Sequence, residues 1–397
     1  MPGFELFGEE ERNSVNEVLE TGVLFRYGFD TARRGIWKAK EFESEFALKV
    51  GAKHCLLVSS GTSALSTALA ACGVGYGDEV IIPPFTFVAT VEAVLSTGAI
   101  PVFSEINETL CLDPDKINEK ITEKTKAILP VHMCGAMAQI SEIKRVADEH
   151  NLILIEDACQ AVGAHIDGKF AGTWGKAGCF SFDSVKTITC GEGGAVVTDS
   201  DEIYVKADAF HDHGHDHIGN DRGKEDHMLL GMNYRISELN AAVGLAQLAK
   251  LDEIIDIQRK NFAEIANTLG EFPFVKLRDI PNREGDSCTF ISFMLPDEDT
   301  ARRIASGLSE NGVDSCFYWY DNNWHYLRNW HHIRSLKTAM LTAQHKLPSM
   351  KDYSEYSLPQ SDSIMSRTIS MQIKLSWTSE EIAIRCEKIR KTMKELL

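Results

Sequence analysis

The sequence contains no hydrophobic run long enough to cross a membrane. A membrane-spanning helix needs about 20 predominantly apolar residues in succession, and no stretch of the 397 residues approaches that length. The opening segment MPGFELFGEEERNSVNEVL has early acidic residues and no long apolar core, so we predict no secretory signal. Together these features predict a cytoplasmic protein without a membrane partner.

An excess of positive charge is also absent. The chain carries 41 Lys and Arg residues against 58 Asp and Glu residues, for a net charge of −17 at pH 7. Because a nucleic-acid backbone is held by a positively charged surface, we predict no nucleic-acid partner. The ten cysteines are scattered and no two form a Cys-x-x-Cys pair, so we interpret them as reduced thiols.

Seven short apolar segments alternate with helical patterns through the first half of the chain. They are apolar on both faces, which is typical of strands buried between two layers of helices. The alternation predicts an α/β fold with a mostly parallel sheet sandwiched by helices. The strands are predicted at 54–60, 79–85, 100–106, 127–132, 152–158, 178–183 and 194–199.

Helical patterns fill the intervals and dominate the second half. They are predicted at 62–72, 89–98, 115–121 and 140–150, followed by one long helical stretch over 236–269. The order strand, helix, helix beyond that stretch predicts a smaller α+β domain. We therefore predict a large α/β domain with an N-terminal arm over residues 1–254, and a small C-terminal domain over residues 255–397.

The segment SSGTSAL (59–65) joins the first predicted strand to a helix. Gly61 lets the backbone approach a ligand closely, and Thr62 and Ser63 bring amide and hydroxyl donors to the start of the helix. This arrangement is typical of a phosphate cradle. An ordinary capped helix start has the same residue types, so the segment alone leaves both interpretations open.

Two further polar groups stand near the ends of predicted strands. Asp157 ends a buried strand, where an acid either caps a helix or meets a cation, and Gln160 follows it at helical distance. Lys186 lies among small hydroxylic residues before a glycine-rich turn, where it is either an imine-forming amine or a solvated loop lysine. A phosphate cradle, a carboxylate that keeps a pyridine nitrogen protonated and an imine-forming lysine are what pyridoxal 5′-phosphate requires.

Six motifs make the sequence resemble the DegT/DnrJ/EryC1/StrS family of pyridoxal phosphate-dependent sugar aminotransferases. The resemblance covers roughly residues 40–270 well and the remainder loosely. It implies a fold-type I transferase, pyridoxal 5′-phosphate as cofactor, and a homodimer whose active sites are shared between subunits. The motifs are SSGTSAL, GDEVIIPPFTFVAT, LPVHMCG, IEDACQAVGA, CFSFDSVKTITCGEGGAVVTD and GMNYRISELNAAVGLAQL.

The resemblance also implies a role for each matching residue. Gly61 would belong to the phosphate cradle, and Thr62, Ser63 and Ser181 would bind the phosphate. Phe87 would stack on the pyridine ring, Asp157 would pair with the ring nitrogen, and Gln160 would lie near the ring hydroxyl. Lys186 would form the imine, and Asn233 would reach the phosphate of the neighbouring subunit. The implied activity is transamination with L-glutamate as amino donor. Lys186 would move a proton as general base and then as general acid.

Three segments depart from the usual family pattern, at 24–38, 210–231 and 316–333. With these departures the chain resembles the branch of the family that aminates the C8 aldehyde of a 3-deoxy-manno-octulosonate derivative. That reaction gives 8-amino-3,8-dideoxy-manno-octulosonate for lipopolysaccharide biosynthesis. The alternative acceptor is a nucleotide-linked keto-sugar.

Four residues in these segments are candidates for binding the acceptor. Arg33 and Arg34 would bind its carboxylate through a guanidinium group, and a solvated surface pair is the alternative interpretation. Trp319 would wall a sugar pocket, or belong to the core or to dimer contacts. His213 belongs to the alternating run His211–His217, whose imidazoles have a spacing that suits a metal. Because this run has no cysteine partner or HExxH helix, we predict no metal site and interpret it as a polar loop at the site mouth.

Other functions fit the sequence less well. A nicotinamide-dependent dehydrogenase would carry G-x-G-x-x-G after the first strand, whereas Gly73, Gly75 and Gly77 follow a helix and miss that spacing. Sugar dehydratases of the same family have histidine at the lysine position, so Lys186 favours transamination. A cofactor-bound regulator would add a basic DNA-binding segment, and none is visible in the sequence.

Overall fold

Two main β-sheets organise the chain, together with one small hairpin. The computed structural model describes residues 3–219, 221–338, 353 and 356–396. The strands are β1 (His54–Val58), β2 (Glu79–Ile82), β3 (Ile100–Phe103), β4 (Thr125–Ile128), β5 (Ile153–Asp157), β6 (His165–Ile166), β7 (Lys169–Phe170), β8 (Ala177–Ser181), β9 (Gly194–Thr198), β10 (Lys276–Leu277), β11 (Phe290–Met294), β12 (Cys316–Phe317) and β13 (Thr368–Gln372).

The larger sheet has seven strands in the order β1-β9-β8-β5-β4-β2-β3. Strand β9 is antiparallel to both of its neighbours, and every other adjacent pair is parallel. All seven strands coincide with predicted segments, so the mostly parallel sheet is confirmed. The carboxyl ends of β1, β5 and β8 therefore meet at one edge, where α/β sheets place their ligands.

Helices cover both faces of this sheet. The neighbouring residues Leu56 and Leu57 are both fully buried, but in two different apolar clusters. Alternate side chains of a strand point to opposite faces, so neither face is left to solvent at this strand. The helices are α1 (Glu9–Thr21), α2 (Asp30–Arg33), α3 (Lys38–Val50), α4 (Gly61–Ala71), α5 (Ala89–Ser96), α6 (Ile140–Glu149), α7 (Asp201–His211), α8 (Glu238–Ala249), α9 (Leu251–Leu269), α10 (Glu298–Glu310), α11 (His331–Arg334), α12 (Pro359–Met365) and α13 (Ser379–Leu396).

Two helix predictions were wrong in detail. The segment at 115–121 forms two short 3₁₀ turns instead of an α-helix, with backbone hydrogen bonds between residues three apart. The long helix at 236–269 is interrupted at Lys250, which ends α8 and precedes α9. The Lys250 ammonium group donates to the Leu6 carbonyl and pairs with Glu11, so residues far away in sequence hold this point.

The smaller sheet is antiparallel in the order β10-β11-β13-β12. It shares one apolar cluster with α9, α10 and α13, to which Ile265, Ile304 and Ile389 contribute fully buried side chains. The smaller α+β part at the C-terminal end is therefore confirmed. The boundary between residues 254 and 255 stays a prediction, because α9 continues across it.

The described residues include no helix long and apolar enough to cross a membrane. All ten cysteines lie in this part of the chain and are free thiols. Burial raises the pKa of several, with Cys134 reaching about 12, so such groups are protonated at neutral pH.

Candidate active site

A cavity of about 130 Å³ opens where the carboxyl ends of β1, β5 and β8 meet. Its walls include Asp157 and Ser181, the last residues of β5 and β8, together with the start of α4 after β1 and the loop after β8. It brings together seven of the nine residues that the sequence assigned to the cofactor. These are Gly61, Thr62, Phe87, Asp157, Gln160, Ser181 and Lys186.

The start of α4 is both a capped helix and one wall of this cavity. The Ser60 hydroxyl accepts a hydrogen bond from the Ser63 amide at 3.0 Å, and the Ser63 hydroxyl accepts one from the Ser60 amide at 2.8 Å. Ser63 is buried by this exchange and does not line the cavity, whereas Thr62 does. The cap holds the helix end rigidly, and the free amides at a helix N-terminus attract anions.

Gly61 allows α4 to approach the end of β8. A Cβ atom on residue 61 would lie 2.7 Å from Cβ of Ser181 and 3.1 Å from Sγ of Cys159. Contacts that short require a neighbour to move, so a side chain at this position would push Ser181 away. The glycine therefore keeps the two predicted phosphate-binding elements side by side.

Asp157 is a buried acid without a cation. Its Oδ2 accepts a hydrogen bond from the Thr90 hydroxyl at 2.7 Å, and its Oδ1 accepts one from the Cys159 amide at 3.1 Å. Within the described part of the chain, no lysine, arginine or histidine forms an ion pair with it. A buried carboxylate is costly unless it meets a positive partner, and the side chain lines the cavity where a protonated ring nitrogen would supply one.

The neighbouring acid, Glu156, has a different role. Its carboxylate accepts hydrogen bonds from the amides of Gly172, Trp174 and Gly175, and it contacts Nε2 of His132 at 2.9 Å. Because Nδ1 of that histidine accepts a bond from a backbone amide, Nε2 carries the proton and donates to Glu156. The hydrogen-bonding groups of Glu156 are thus satisfied within the protein, and these contacts fix the strand that carries Asp157.

Lys186 shares the cavity with Asp157. No described residue forms a hydrogen bond or ion pair with its Nζ, so the amine is available for chemistry. Phe87 also lines the cavity with 46% of its surface exposed, which leaves its ring open to stacking. Gln160 is more constrained, because its amide oxygen accepts a bond from the Cys134 amide at 3.1 Å.

Two residues next to this site were not predicted from the sequence. Thr90 was not singled out, although it stands three residues after Phe87 in the same quoted motif. His325 packs against Phe87 with ring centroids 5.6 Å apart, and its Nδ1 is buried without a partner among the described residues. Burial, aided by the nearby positive charge of Lys186, lowers the pKa of His325 to about 3, so this imidazole is neutral.

Asn233 does not line the cavity of its own chain. It is exposed and lies opposite Asp212 in a short antiparallel bridge. The backbone carbonyl of the next residue, Tyr234, accepts a 2.7 Å hydrogen bond from the Ser59 amide, which lies just ahead of the cradle. The predicted contact of Asn233 with a neighbouring subunit's phosphate stays a prediction.

Arg33 fits neither interpretation made from the sequence. It is 1% exposed, pairs with Glu238 at 2.9 Å, and donates to three backbone carbonyls. Its guanidinium group also stacks on Trp37 at 3.8 Å. These contacts occupy the group inside the fold, so we correct the prediction that it binds substrate. Arg34, by contrast, is exposed, and its substrate role stays a prediction.

Trp319 and His213 lie in contrasting environments. Trp319 is 2% exposed and stacks on Phe317 at 4.5 Å, so its ring belongs to the core and does not form a cavity wall. His213 is exposed, and its proposed contact with substrate stays a prediction. Within the described residues, no three His, Cys, Asp or Glu side chains are grouped to hold a metal ion.

The cavity residues fit pyridoxal 5′-phosphate. A helix N-terminus beside Ser181 suits a phosphate, an unpaired buried carboxylate suits a protonated pyridine, and an unpaired amine suits an aldehyde. Asp157 would pair with the ring nitrogen and Lys186 would bind the aldehyde carbon, while Thr62 and Ser181 would hold the phosphate.

Comparison with known sequences points in the same direction. Residues 6–345 match the profile of the DegT/DnrJ/EryC1/StrS aminotransferase family. A GDP-perosamine synthase from Vibrio cholerae is 37% identical over 314 residues, which cover 78% of this chain and 82% of that protein. An L-glutamine:2-deoxy-scyllo-inosose aminotransferase from Streptomyces kanamyceticus is 40% identical over 270 residues, covering 65% of this chain and 61% of that enzyme.

Solved structures share the whole fold. The crystal structure of 3-amino-5-hydroxybenzoic acid synthase superimposes with a TM-score of 0.82 at 30% identity, covering 98% of this chain and 97% of that one. The NtdA protein of Bacillus subtilis, solved with bound cofactor PMP, has a TM-score of 0.82 at 27% identity, covering 97% and 82%.

Proposed function

Because the chain belongs to the DegT/DnrJ/EryC1/StrS aminotransferase family, we propose that it transfers an amino group from L-glutamate to the carbonyl carbon of a sugar. It is a pyridoxal phosphate-dependent transaminase of fold type I. The observation that carries the proposal is that Asp157 and Lys186 line one cavity beside the N-terminus of α4.

The chain's own residues divide the work of transamination. When bound, the cofactor supplies an electron sink that stabilises negative charge on the carbon bearing the amine. The Asp157 carboxylate, held by Thr90 and the Cys159 amide, would keep a proton on the pyridine nitrogen. Thr62 and Ser181 would anchor the phosphate. The Lys186 amine would take a proton from the donor carbon as general base and later donate it as general acid.

The acceptor is the finer part of the proposal. We retain the C8 aldehyde of a 3-deoxy-manno-octulosonate derivative, giving 8-amino-3,8-dideoxy-manno-octulosonate for lipopolysaccharide. Its support is the three segments that depart from the family pattern, together with Arg34, which is exposed. Arg33 gives no support, because its guanidinium group is occupied inside the fold. A nucleotide-linked keto-sugar is the second candidate, favoured by the likeness to a GDP-perosamine synthase.

A homodimer with shared sites is part of the same proposal. The segment between Asp212 and Asn233 exposes apolar side chains to solvent, with Leu230 at 91% and Ile218 at 76% exposure. Met228 and Met232 are exposed on the same segment. An apolar surface of this kind beside a predicted cofactor residue suits a second copy of the chain. The cytoplasmic location stays a prediction.

A two-stage spectroscopic experiment tests the proposed reaction. The protein loaded with pyridoxal 5′-phosphate is mixed with L-glutamate, and we expect the cofactor absorbance to change to that of pyridoxamine phosphate while 2-oxoglutarate forms. The octulosonate aldehyde or a GDP-linked keto-sugar is then added. Restoration of the first spectrum by the free acid sugar alone supports the octulosonate acceptor, and restoration by the keto-sugar alone refutes it.

Replacing the lysine separates catalysis from cofactor binding. Lys186→Ala should abolish turnover, while the phosphate contacts still retain the cofactor. Lys391→Ala is a suitable control, because that side chain is 59% exposed on α13. Undiminished turnover of the Lys186 variant would show that the assignment is wrong.

A further inference from the structure

Two of the segments that depart from the family pattern contact each other. The Tyr27 hydroxyl, from segment 24–38, lies 3.0 Å from Nε2 of His211 and 3.2 Å from Oδ1 of Asp208. The Tyr27 ring stacks on His217 with centroids 4.5 Å apart. The N-terminal segment and the histidine-rich segment therefore form one packed unit.

Asp212 is the centre of this unit. Its carboxylate is fully buried and accepts hydrogen bonds from Nε2 of His217 at 3.0 Å, from both terminal nitrogens of Arg222 at 2.8 and 3.1 Å, and from Arg235. His217 also contacts Asp208 at 2.6 Å. We call Tyr27, Asp208, Asp212, His217, Arg222 and Arg235 the Asp212 cluster.

The Asp212 cluster is joined directly to the phosphate cradle. Asp212 is paired with Asn233 in a backbone bridge, and Arg235 lies opposite Val58 at the end of β1. Between them, the Tyr234 carbonyl accepts the 2.7 Å hydrogen bond from the Ser59 amide. Ser59 immediately precedes Ser60, the residue that caps α4. A displacement of residues 233–235 would thus shift the loop that leads into the cradle.

We propose that Asp212 is a positioning residue for the cofactor-phosphate site. It holds Arg222, Arg235 and His217 together. Through its backbone bridge to Asn233 and its contact with Arg235, it fixes Tyr234, which lies between them, beside Ser59. The proposal rests on the proposed function, because it concerns the phosphate of that cofactor. Removal of the negative charge would leave two arginines close together without their shared partner.

The test compares cofactor binding with and without a phosphate group. Asp212→Asn keeps the size of the side chain but removes its charge. We expect its dissociation constant for pyridoxal 5′-phosphate to rise about tenfold, because the loop that leads into the cradle would be held less firmly. The dissociation constant for pyridoxal, which has no phosphate, should stay unchanged. Asp226→Asn, at an exposed position in the same segment, should change neither constant.

Two results would overturn the proposal. Unchanged affinity for pyridoxal 5′-phosphate would exclude a positioning role. An equal loss of affinity for pyridoxal 5′-phosphate and for pyridoxal would show general structural damage. If Asp212→Asn does not fold, Arg222→Gln removes the bidentate contact from a partly exposed side chain and should give the same selective loss. Failure of the unmodified protein to bind pyridoxal 5′-phosphate would instead refute the proposed function.

Discussion

The Thr90 hydroxyl donates a 2.7 Å hydrogen bond to Oδ2 of Asp157, and both side chains are buried at the cavity wall. The hydroxyl of Thr86 lies 2.7 Å from that of Thr90 and continues the chain of contacts. This arrangement fixes the orientation of the carboxylate, which also accepts a hydrogen bond from the Cys159 amide. The acid is thereby held in place before any ligand arrives.

We expect Thr90→Val to lower kcat about tenfold with the cofactor still bound. A hydrogen bond to a charged group contributes about 1.5–3 kcal/mol, and its loss frees the Asp157 carboxylate to rotate away from the pyridine nitrogen. Steady-state kinetics with L-glutamate measure the effect. Thr67→Val is a matched control, because the Thr67 hydroxyl is buried without a hydrogen-bond partner among the described residues. Equal kcat values in both variants would show that Thr90 does not orient the Asp157 carboxylate for catalysis.

Gly61→Ala should weaken cofactor binding. The added methyl group would lie 2.7 Å from Cβ of Ser181, and overpacking of this kind costs about 1–3 kcal/mol. The measurement is the dissociation constant for pyridoxal 5′-phosphate together with the midpoint of urea unfolding. Gly75→Ala is the control, because the nearest atom to its added methyl group would be 3.9 Å away. A variant at position 61 that binds the cofactor normally would contradict the close-approach argument.

His217 should make stability depend on pH in the alkaline range. Burial alone would lower its pKa, but hydrogen bonds from its ring to Asp208 and Asp212 raise the pKa to about 9. A raised pKa adds stability that is complete below the unfolded value of about 6.5 and is lost as pH rises through about 9. The free energy of unfolding should therefore fall by up to about 3 kcal/mol between these values because of this group.

Urea unfolding of the wild-type protein and of His217→Gln at several pH values measures this contribution. The difference in the free energy of unfolding between the two proteins should shrink as pH rises from about 6.5 to about 9. His213→Gln, at an exposed position, should show a constant difference from the wild type. A constant difference for His217→Gln as well would mean that His217 is not charged in the folded protein.

The two neighbouring arginines should respond differently to mutation. Arg33→Met leaves Glu238 buried without its partner, and such a loss destabilises by about 3–5 kcal/mol. Arg34→Met should change stability by less than about 0.5 kcal/mol. If Arg34 binds the acceptor's carboxylate, its replacement raises the KM for the acceptor and leaves the KM for L-glutamate unchanged. An unchanged acceptor KM would remove Arg34 from the site.

Local patterns predicted most of the fold and the centre of the site. Short runs of apolar residues locate all seven strands of the large sheet, because a strand buried on both faces is apolar on both. The cavity residues could be predicted because each lies at or after the end of a strand, within a family motif. Their close approach in space follows from the parallel arrangement of those strands.

Long-range contacts account for what the sequence did not predict. Arg33 is buried by Glu238, 205 residues away, and nothing in the local sequence marks that pairing. The break at Lys250 depends in the same way on Leu6 and Glu11. Thr90 was overlooked because its role depends on the position of Asp157 in space, 67 residues further along the chain.

The most direct test of the account is to locate the covalent attachment of the cofactor. The protein saturated with pyridoxal 5′-phosphate is reduced with borohydride, digested, and mapped by mass spectrometry. We expect one phosphopyridoxyl group, on Lys186. In Asp157→Asn the yield of this adduct should fall only in proportion to the fall in cofactor occupancy. A stoichiometric adduct on another lysine, or no adduct in the presence of saturating cofactor, would contradict this expectation.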